Sequence, residues 1–315
     1  MDPFKVSVIV SVYNGADILP ITLPSLLNQD YSREKTEIIY VDDASSDDTH
    51  LLLEFPERKG SITVISHQEN RGRAVTRNSG IKSATGKLLI FLDCDIEVES
   101  DFISRHVEYH QNEHIIGVIS NIRTRYTKSK DKYHKYIFLG KRGASIIGED
   151  KPLPFNYFII GCTSVKMSAV RRVGGFNVNL PVYGEDLDFS YRLWKSFPGG
   201  LFYSEKINVY MHKVNTLEEA LFNFSQYGQY NVPIILEEFP DLAPYVASDF
   251  IKSMTGKFSW KVFFGTIFIN RFVFQLVKWL LCITPFPLSN FLIRYLLAAS
   301  VAMGYRRHFK CSNKN

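Results

Sequence analysis

Lys87-Leu88-Leu89-Ile90-Phe91-Leu92-Asp93-Cys94-Asp95 is an apolar run that ends in two carboxylates. Coming after Thr85-Gly86, it reads as a strand buried on both faces of a parallel sheet. Open α/β sheets bind ligands beyond the carboxyl ends of their strands. Asp93 and Asp95 fall at that end and can share a hard, oxygen-seeking cation. Asp is also a common turn residue, so the pair alone leaves a simple strand cap as an alternative.

Upstream, strand and helix signals alternate. Val6 to Val12 reads as a strand, Asp17 to Gln29 as a helix and Glu37 to Val41 as a second strand. Ser45-Ser46-Asp47-Asp48 offers cap oxygens and first-turn charge to a helix over Thr49 to Phe55. Ser61 to Ile65 is a third strand, Gly72 to Ser83 a third helix, and the quoted run a fourth strand followed by a helix capped at Ser100. This alternation predicts a doubly wound parallel sheet. Phe158 to Ser164 reads as another inner strand, and Leu187, Tyr191 and Trp194 lie at helical spacing, which sets Glu185 and Asp186 at a helix N-terminus. The basic stretch Arg123 to Lys135 reads as a solvated loop or as a flap over an anionic ligand.

The chain has 315 residues, enough for one large α/β domain with a smaller appendage. A net charge of +5 is too mild to argue for nucleic acid. Cys94, Cys162, Cys282 and Cys311 form no Cys-x-x-Cys pair, which gives neither a zinc site nor a disulfide framework and fits a reducing compartment. Strand-like Val6 to Val10 leaves no room for a signal peptide, so the N-terminal domain is expected to face the cytoplasm.

The tail differs in kind. Val262 to Ile283 is heavily apolar, yet Lys257, Lys261, Phe264, Phe268, Arg271, Gln275 and Lys278 fall at helical spacing and four of them are basic. Basic residues are costly at the bilayer centre, so an amphipathic helix lying in the membrane plane is the expectation. Pro285-Phe286-Pro287 breaks the pattern before a second apolar stretch, Leu288 to Tyr305, near the minimum length for spanning. A span, a shallow hairpin and a helical domain packed in its own core all stay open. The organisation read from the sequence is a catalytic domain over 1–215, a helical extension over 216–255 and membrane-associated helices over 256–315.

Chemistry-bearing residues gather in four clusters. Ser11-Val12-Tyr13-Asn14-Gly15 follows the first strand and carries a ring able to stack on a base. Val41-Asp42-Asp43-Ala44-Ser45-Ser46-Asp47-Asp48-Thr49 follows the second, where a carboxylate can accept a uracil imide N–H or ribose hydroxyls. Asn70-Arg71-Gly72-Arg73 with Arg77-Asn78 opens the third helix, and its guanidinium groups can pair with phosphate or hold the acidic cluster in place. Asp93-Cys94-Asp95 is the fourth.

Singly these signals are weak; in this order, and followed by Gly184-Glu185-Asp186-Leu187-Asp188-Phe189, they closely resemble the family 2 glycosyltransferases over roughly residues 4 to 215. The resemblance implies an α/β GT-A fold with a mixed, mostly parallel sheet. It also implies a nucleotide-diphosphate-sugar donor, Mn2+ or Mg2+, and inversion at the anomeric carbon. UDP is the favoured nucleotide, with dTDP and GDP open. By the same resemblance Ser11 and Tyr13 match nucleotide-pocket positions, and Asp43, with Asp42 beside it, the base-recognising carboxylate. Arg77 matches the arginine of an Ala-Arg-Asn element in which Thr76 here replaces alanine, and it is grouped with the donor-binding residues. Asp95 resembles the metal-binding aspartate, Asp93 lies nearer the ribose or the metal's water shell, and His212 matches a further metal ligand, with a structural role as its alternative. Glu185-Asp186 matches the acceptor-site motif, with Asp186 as general base, kept ionised by the helix dipole, and Glu185 orienting the acceptor; Asp188 is the weaker candidate base.

The expected partners are a nucleotide sugar, a glycan or lipid-linked acceptor and the cytoplasmic face of a membrane, with no nucleic acid, as suits cell-surface polysaccharide assembly. A nucleotidyltransferase would carry a Gly-rich loop where this chain has Tyr13-Asn14-Gly15-Ala16-Asp17. An aspartate-nucleophile phosphatase would carry Thr or Val where Glu97 stands, and a dinucleotide dehydrogenase needs Gly-x-Gly-x-x-Gly. An inactive, membrane-bound scaffold of the same fold is the non-enzymatic alternative.

Overall fold

The computed structural model describes residues 4–126, 128–140, 142–149, 151–246, 248–250 and 260–312. The chain divides into two compact units, one made of Met1–Thr127, Lys141–Val178 and Glu185–Lys213, the other of Lys128–Gly140, Asn179–Gly184 and Val214–Asn315. Residues 216–255 and 256–315 thus fall in one unit, joined by short pieces from the first two hundred residues.

In the first unit β1 (Val6–Val12), α1 (Leu19–Leu27), β2 (Thr36–Asp42), α2 (Thr49–Arg58), β3 (Thr63–Ser66), α3 (Arg73–Ser83) and β4 (Leu88–Asp93) alternate as expected. β1, β2 and β4 are near-continuous β-branched and aliphatic runs because helices cover both faces of the sheet. Asp48 stands at the N-cap of α2 without a side-chain capping bond, and the preceding Asp47 accepts from Thr49 N through Oδ1 at 3.1 Å. β5 (Ile96–Val98) and α4 (Phe102–Tyr109) follow, α4 entered from Asp101 and not from Ser100.

β6 (Gly117–Arg123) then leads to α5 (Lys132–Phe138), which belongs to the second unit. The Arg123 to Lys135 stretch is therefore not a loop throughout. α5 is capped by Asp131, buries Tyr133 and Tyr136, and sends Lys132 Nζ to the carbonyls of Leu281 and Cys282 at 2.7 and 2.8 Å. The first unit closes with β7 (Cys162–Lys166), α6 (Met167–Val173), α7 (Glu185–Ser196) and β8 (Leu201–Met211). β7 starts four residues later than read from the sequence.

The eight strands form one sheet in the order β3-β2-β1-β4-β7-β6-β8-β5. Pairs β1–β2, β1–β4, β2–β3 and β6–β8 are parallel, whereas β7 runs antiparallel to β4 and β6, and β5 antiparallel to β8. The sheet is mixed and mostly parallel, as expected, and its antiparallel pairs fall in the half where the strand–helix alternation lapses. Register aligns the strand ends: Ser11 lies beside Asp93 and Val12 beside Asp42, so three of the four clusters emerge along one edge.

The second unit holds α8 (Leu217–Gln226), α9 (Val232–Glu238), α10 (Trp260–Phe268), α11 (Arg271–Ile283) and α12 (Ser289–Ser312). Tyr133, Tyr136, Leu221, Leu281, Ile293 and Leu296 form its core. The second apolar stretch is thus largely a packed helix: a Cβ added at Gly304 would collide with the carbonyl of Ser225, and one at Gly228 with that of Val301. The basic stripe does not run along one helix. Asn270 caps α11 through Val273 N at 3.0 Å, α10 and α11 meet at 61°, and Lys278 pairs with Glu218 at 2.6 Å; Lys257 lies outside the described residues. No single described helix is long and apolar enough to cross a membrane, although α10 and α11 together reach that length and composition.

Candidate active site

The tips of β1 and β2 are locked together by a small polar network. Asn14 N donates to Ser45 Oγ at 2.8 Å, Ser46 N returns a bond to Asn14 Oδ1 at 2.9 Å, and Gly15 N donates to Thr49 Oγ1 at 2.8 Å. Asn14 and Ala44 adopt left-handed φ of 50° and 61°. For alanine that conformation is strained, and such strain is kept where surrounding bonds over-determine it. Asp43 accepts from the successive amides of Arg71 and Gly72 at 2.9 and 2.8 Å and pairs with His67 Nδ1 at 2.7 Å. A carboxylate has about four acceptor positions, so this rigidly held group keeps roughly one for a ligand N–H. Asp42 is turned onto Ser45, whose N and Oγ both bond its Oδ1 at 3.1 and 2.5 Å. Tyr13 is 51% exposed, as a stacking ring needs to be, and Ser11 lies half-buried below it.

Arg77 departs from its sequence-based role. Its side chain is 2% exposed and offers no surface to a diphosphate. Nη1 donates to Glu185 Oε1 at 2.9 Å and to Asp186 Oδ1 at 2.6 Å; Nη2 donates to Asp93 Oδ1 at 3.3 Å and to the Ile160 carbonyl at 3.0 Å. Phe176 packs against the guanidinium at 5.3 Å. The structure thus realises the other reading of this cluster, an arginine that holds carboxylates in place. Asn78 supports it by pairing with Phe176 N and O at 2.9 and 2.8 Å. Arg73, one turn earlier on α3, is exposed and attracted by Asp93 and Glu185.

The carboxylates are unequal. Asp186 begins the second residue of α7 and accepts from Ile160 N through Oδ2 at 3.3 Å. Burial pushes its pKa up to about 7, an effect that Arg77 offsets only in part and the neighbouring Glu185 increases. Desolvation therefore overrides the dipole effect expected from its helix position. Asp188 is committed to Arg192, whose Nε donates to it at 3.1 Å, and is 1% exposed, which removes it as a base. Asp95 is pushed up to about 6 by burial and by Asp93 beside it. Gly161 stands where any Cβ would come within 2.7 Å of Asp93 Oδ2.

Among the described residues, no three His, Cys, Asp or Glu side chains converge as a ready-made cation cage. Asp93, Asp95 and His212 therefore do not form a complete three-ligand site, Asp93 being drawn to Arg77. Two of them still fit a divalent cation. Asp95 is a half-buried carboxylate whose pKa is pushed up by burial and by Asp93, and His212 Nδ1 is buried without a hydrogen-bond partner. The His212 amide donates to the Asp95 carbonyl at 3.0 Å, which anchors the two residues side by side. One or two protein ligands plus substrate phosphates is the usual way Mg2+-type ions are held.

Sequence reading gave Ile160 and Gly161 no site role, used Glu97 only to exclude a phosphatase, and took Arg125 only as part of a basic stretch. The alternation Ile96-Glu97-Val98-Glu99 is the period-two signal that marks β5 and turns Glu97 and Glu99 to one face.

The sequence model of glycosyl transferase family 2 matches residues 7–174, more than half of the chain. The chain belongs to that family. Similar to it is an uncharacterized glycosyltransferase of Bacillus subtilis, YfnE, 28% identical over 236 residues, which are 60% of each chain. The poly(ribitol-phosphate) beta-glucosyltransferase of Bacillus spizizenii is 32% identical over 126 residues, 38% of this chain and 20% of that one. The chain thus spans 60% or less of the length of these two relatives. Among solved structures, the mannosyltransferase PcManGT from Pyrobaculum calidifontis, in complex with GDP-Man and Mn2+, superposes with a TM-score of 0.64 at 18% identity. The match covers 96% of this chain and 87% of that one. The fold of this family 2 member is the GT-A type, with a mixed, mostly parallel sheet followed by a helical region.

Proposed function

We propose that this family 2 member is an inverting glycosyltransferase that moves a sugar from a nucleotide-diphosphate sugar to a hydroxyl of a glycan or lipid-linked acceptor. The observation that carries the reading is the Arg77 cluster. One buried guanidinium ties Asp93, at the strand end expected to meet the diphosphate, to Glu185 and Asp186, at the helix end expected to meet the acceptor. Leaving-group chemistry and proton removal then share one fixed frame, as in-line displacement requires.

In this reading Tyr13 stacks on the base, the remaining acceptor position of Asp43 takes its imide N–H, and Ser11 and Asp42 complete the nucleotide pocket. Asp95 and His212 would hold Mn2+ or Mg2+, with Asp93 beside them, and the bound cation would neutralise charge developing on the departing diphosphate. Asp186 takes the proton of the acceptor hydroxyl as it attacks the anomeric carbon, and a pKa near 7 matches a base working near neutral pH. Glu185, 3% exposed and bonded to Arg77, holds the guanidinium and through it the orientation of Asp186.

A cell-surface polysaccharide is the proposed product and the cytoplasmic face of a membrane the proposed location, in line with the poly(ribitol-phosphate) transferase among the relatives. Support for the location comes from α11, whose exposed Phe272, Leu276, Trp279 and Ile283 recur at helical spacing. A UDP donor is favoured, and the GDP-Man bound by PcManGT keeps GDP in the test. The test is release of UDP or GDP from a panel of UDP- and GDP-sugars with Mn2+, with Mg2+ and with a chelator. Metal-dependent release is expected; no release under any condition would favour an inactive scaffold.

A further inference from the structure

Glu97 lies outside every role assigned so far, yet it makes the contact that orients His212. It sits on β5, opposite Tyr210 on β8 in an antiparallel pair, two residues beyond Asp95. Its Oε2 is 2.7 Å from His212 Nε2, and its Oε1 accepts from Arg125 Nη2 at 2.8 Å. A carboxylate that already accepts from a guanidinium also accepts from the ring, so Nε2 carries the proton and, in the neutral imidazole, Nδ1 is left as a bare lone pair.

That lone pair is the informative atom. Nδ1 is buried and has no hydrogen-bond partner, whereas a histidine serving only to brace a strand end satisfies both nitrogens. The ring is fixed from other sides as well, by Tyr126 packed edge-on at 6.4 Å and by the His212 amide bonded to Asp95 O. Glu97 is itself held: Arg125 lies over the Tyr210 ring at 3.5 Å, and Tyr210 Oη donates to Glu99 Oε1 at 2.8 Å.

We propose that Glu97, braced by Arg125, is a positioning residue that fixes the His212 imidazole with Nδ1 presented to the divalent cation. The inference rests on the reading of His212 as a metal ligand. A carboxylate behind a ligating histidine sets the tautomer, aims the ring and raises the basicity of the coordinating nitrogen, and its loss usually weakens metal binding by about tenfold to a hundredfold.

Calorimetric titration of Mn2+ into the full chain with UDP present tests it on wild type, H212A, E97A and E97Q, alongside electron spin-echo modulation from the nitrogen of a bound imidazole. Wild type binds Mn2+ and shows the nitrogen modulation; H212A loses both. E97A binds Mn2+ about tenfold or more weakly with a diminished modulation, and E97Q, which keeps an acceptor for Nε2–H, recovers part of the affinity. Metal-free melting temperatures of the Glu97 variants match wild type, which separates positioning from folding. If wild type and H212A bind alike, the histidine is no ligand and the inference falls with that reading. If H212A is weakened while E97A stays within roughly twofold of wild type, the ligand reading stands and the positioning role of Glu97 is overturned.

Discussion

At the scale of single residues, two side chains divide the work of the proposed site. Asp186 is a base only when ionised, and its pKa is raised above that of a free carboxyl. The protonated, inactive form therefore prevails below about pH 7, and kcat/KM, which reports the free enzyme, should rise with pH through that value. Asp186→Asn, close to isosteric, should lower transfer by about a thousandfold while donor affinity changes little, as read by turnover and by calorimetry. Arg77 should behave differently. Arg77→Ala leaves three carboxylates facing one another without the guanidinium that bonds them, and breaking a buried pair typically costs about 3–5 kcal/mol, which urea unfolding would read. Lysine should rescue little, because a point charge cannot replace a fork that bonds two carboxylates through Nη1 and a third with a carbonyl through Nη2.

At the scale of elements, α4 is pinned to the sheet by two buried histidines. His106 bridges Ser164 and Ser120 at 2.8 and 3.0 Å, and His110 Nε2 meets the same Ser164 at 2.8 Å. Burial lowers the pKa of His106 well below its usual value and that of His110 to about 3. The unfolded chain therefore takes up protons first, and this contribution to stability is full above about pH 6.5 and lost as pH falls below it. At about pH 5 the loss from His110 is about 2 kcal/mol, and His106 acts in the same direction. Asp95 and Asp186, whose pKa values are raised, respond in the opposite sense, so the quantity to read is a difference. On acidification H110Q should lose about 2 kcal/mol less than wild type in urea unfolding; parallel losses would contradict a neutral buried His110. Strands β1, β2 and β4 were legible because their apolar runs report burial on both faces. β5 was missed because its period-two alternation spans only three residues, too short to stand out from a turn, and the displaced start of β7 because Phe158 and Ile160 are buried without being in a strand.

At the scale of the whole molecule, the C-terminal region is where sequence and structure part most. Hydropathy treats Val262 to Ile283 and Leu288 to Tyr305 alike, yet Ile293, Leu296 and Ala302 of α12 are wholly buried while Phe272 of α11 is 79% exposed. Truncating this region would remove core residues along with any membrane surface, so substitution is the cleaner test. Phe272→Ser with Trp279→Ser should reduce sedimentation with anionic vesicles severalfold at unchanged melting temperature, since each aromatic side chain is already solvated and contributes little to the fold. Equal sedimentation would count against a membrane-docking role for α11.

The order of motifs along the chain, the strand–helix alternation and the acidic ends of β4 and α7 follow from the sequence alone, because propensity, capping and periodicity act over a few neighbouring residues. Which carboxylates share Arg77, that Glu97 stands behind His212, and which apolar helix is packed and which is open were decided only by the tertiary structure. Those outcomes depend on contacts between residues up to 150 positions apart, and no local pattern encodes the partner that burial will supply.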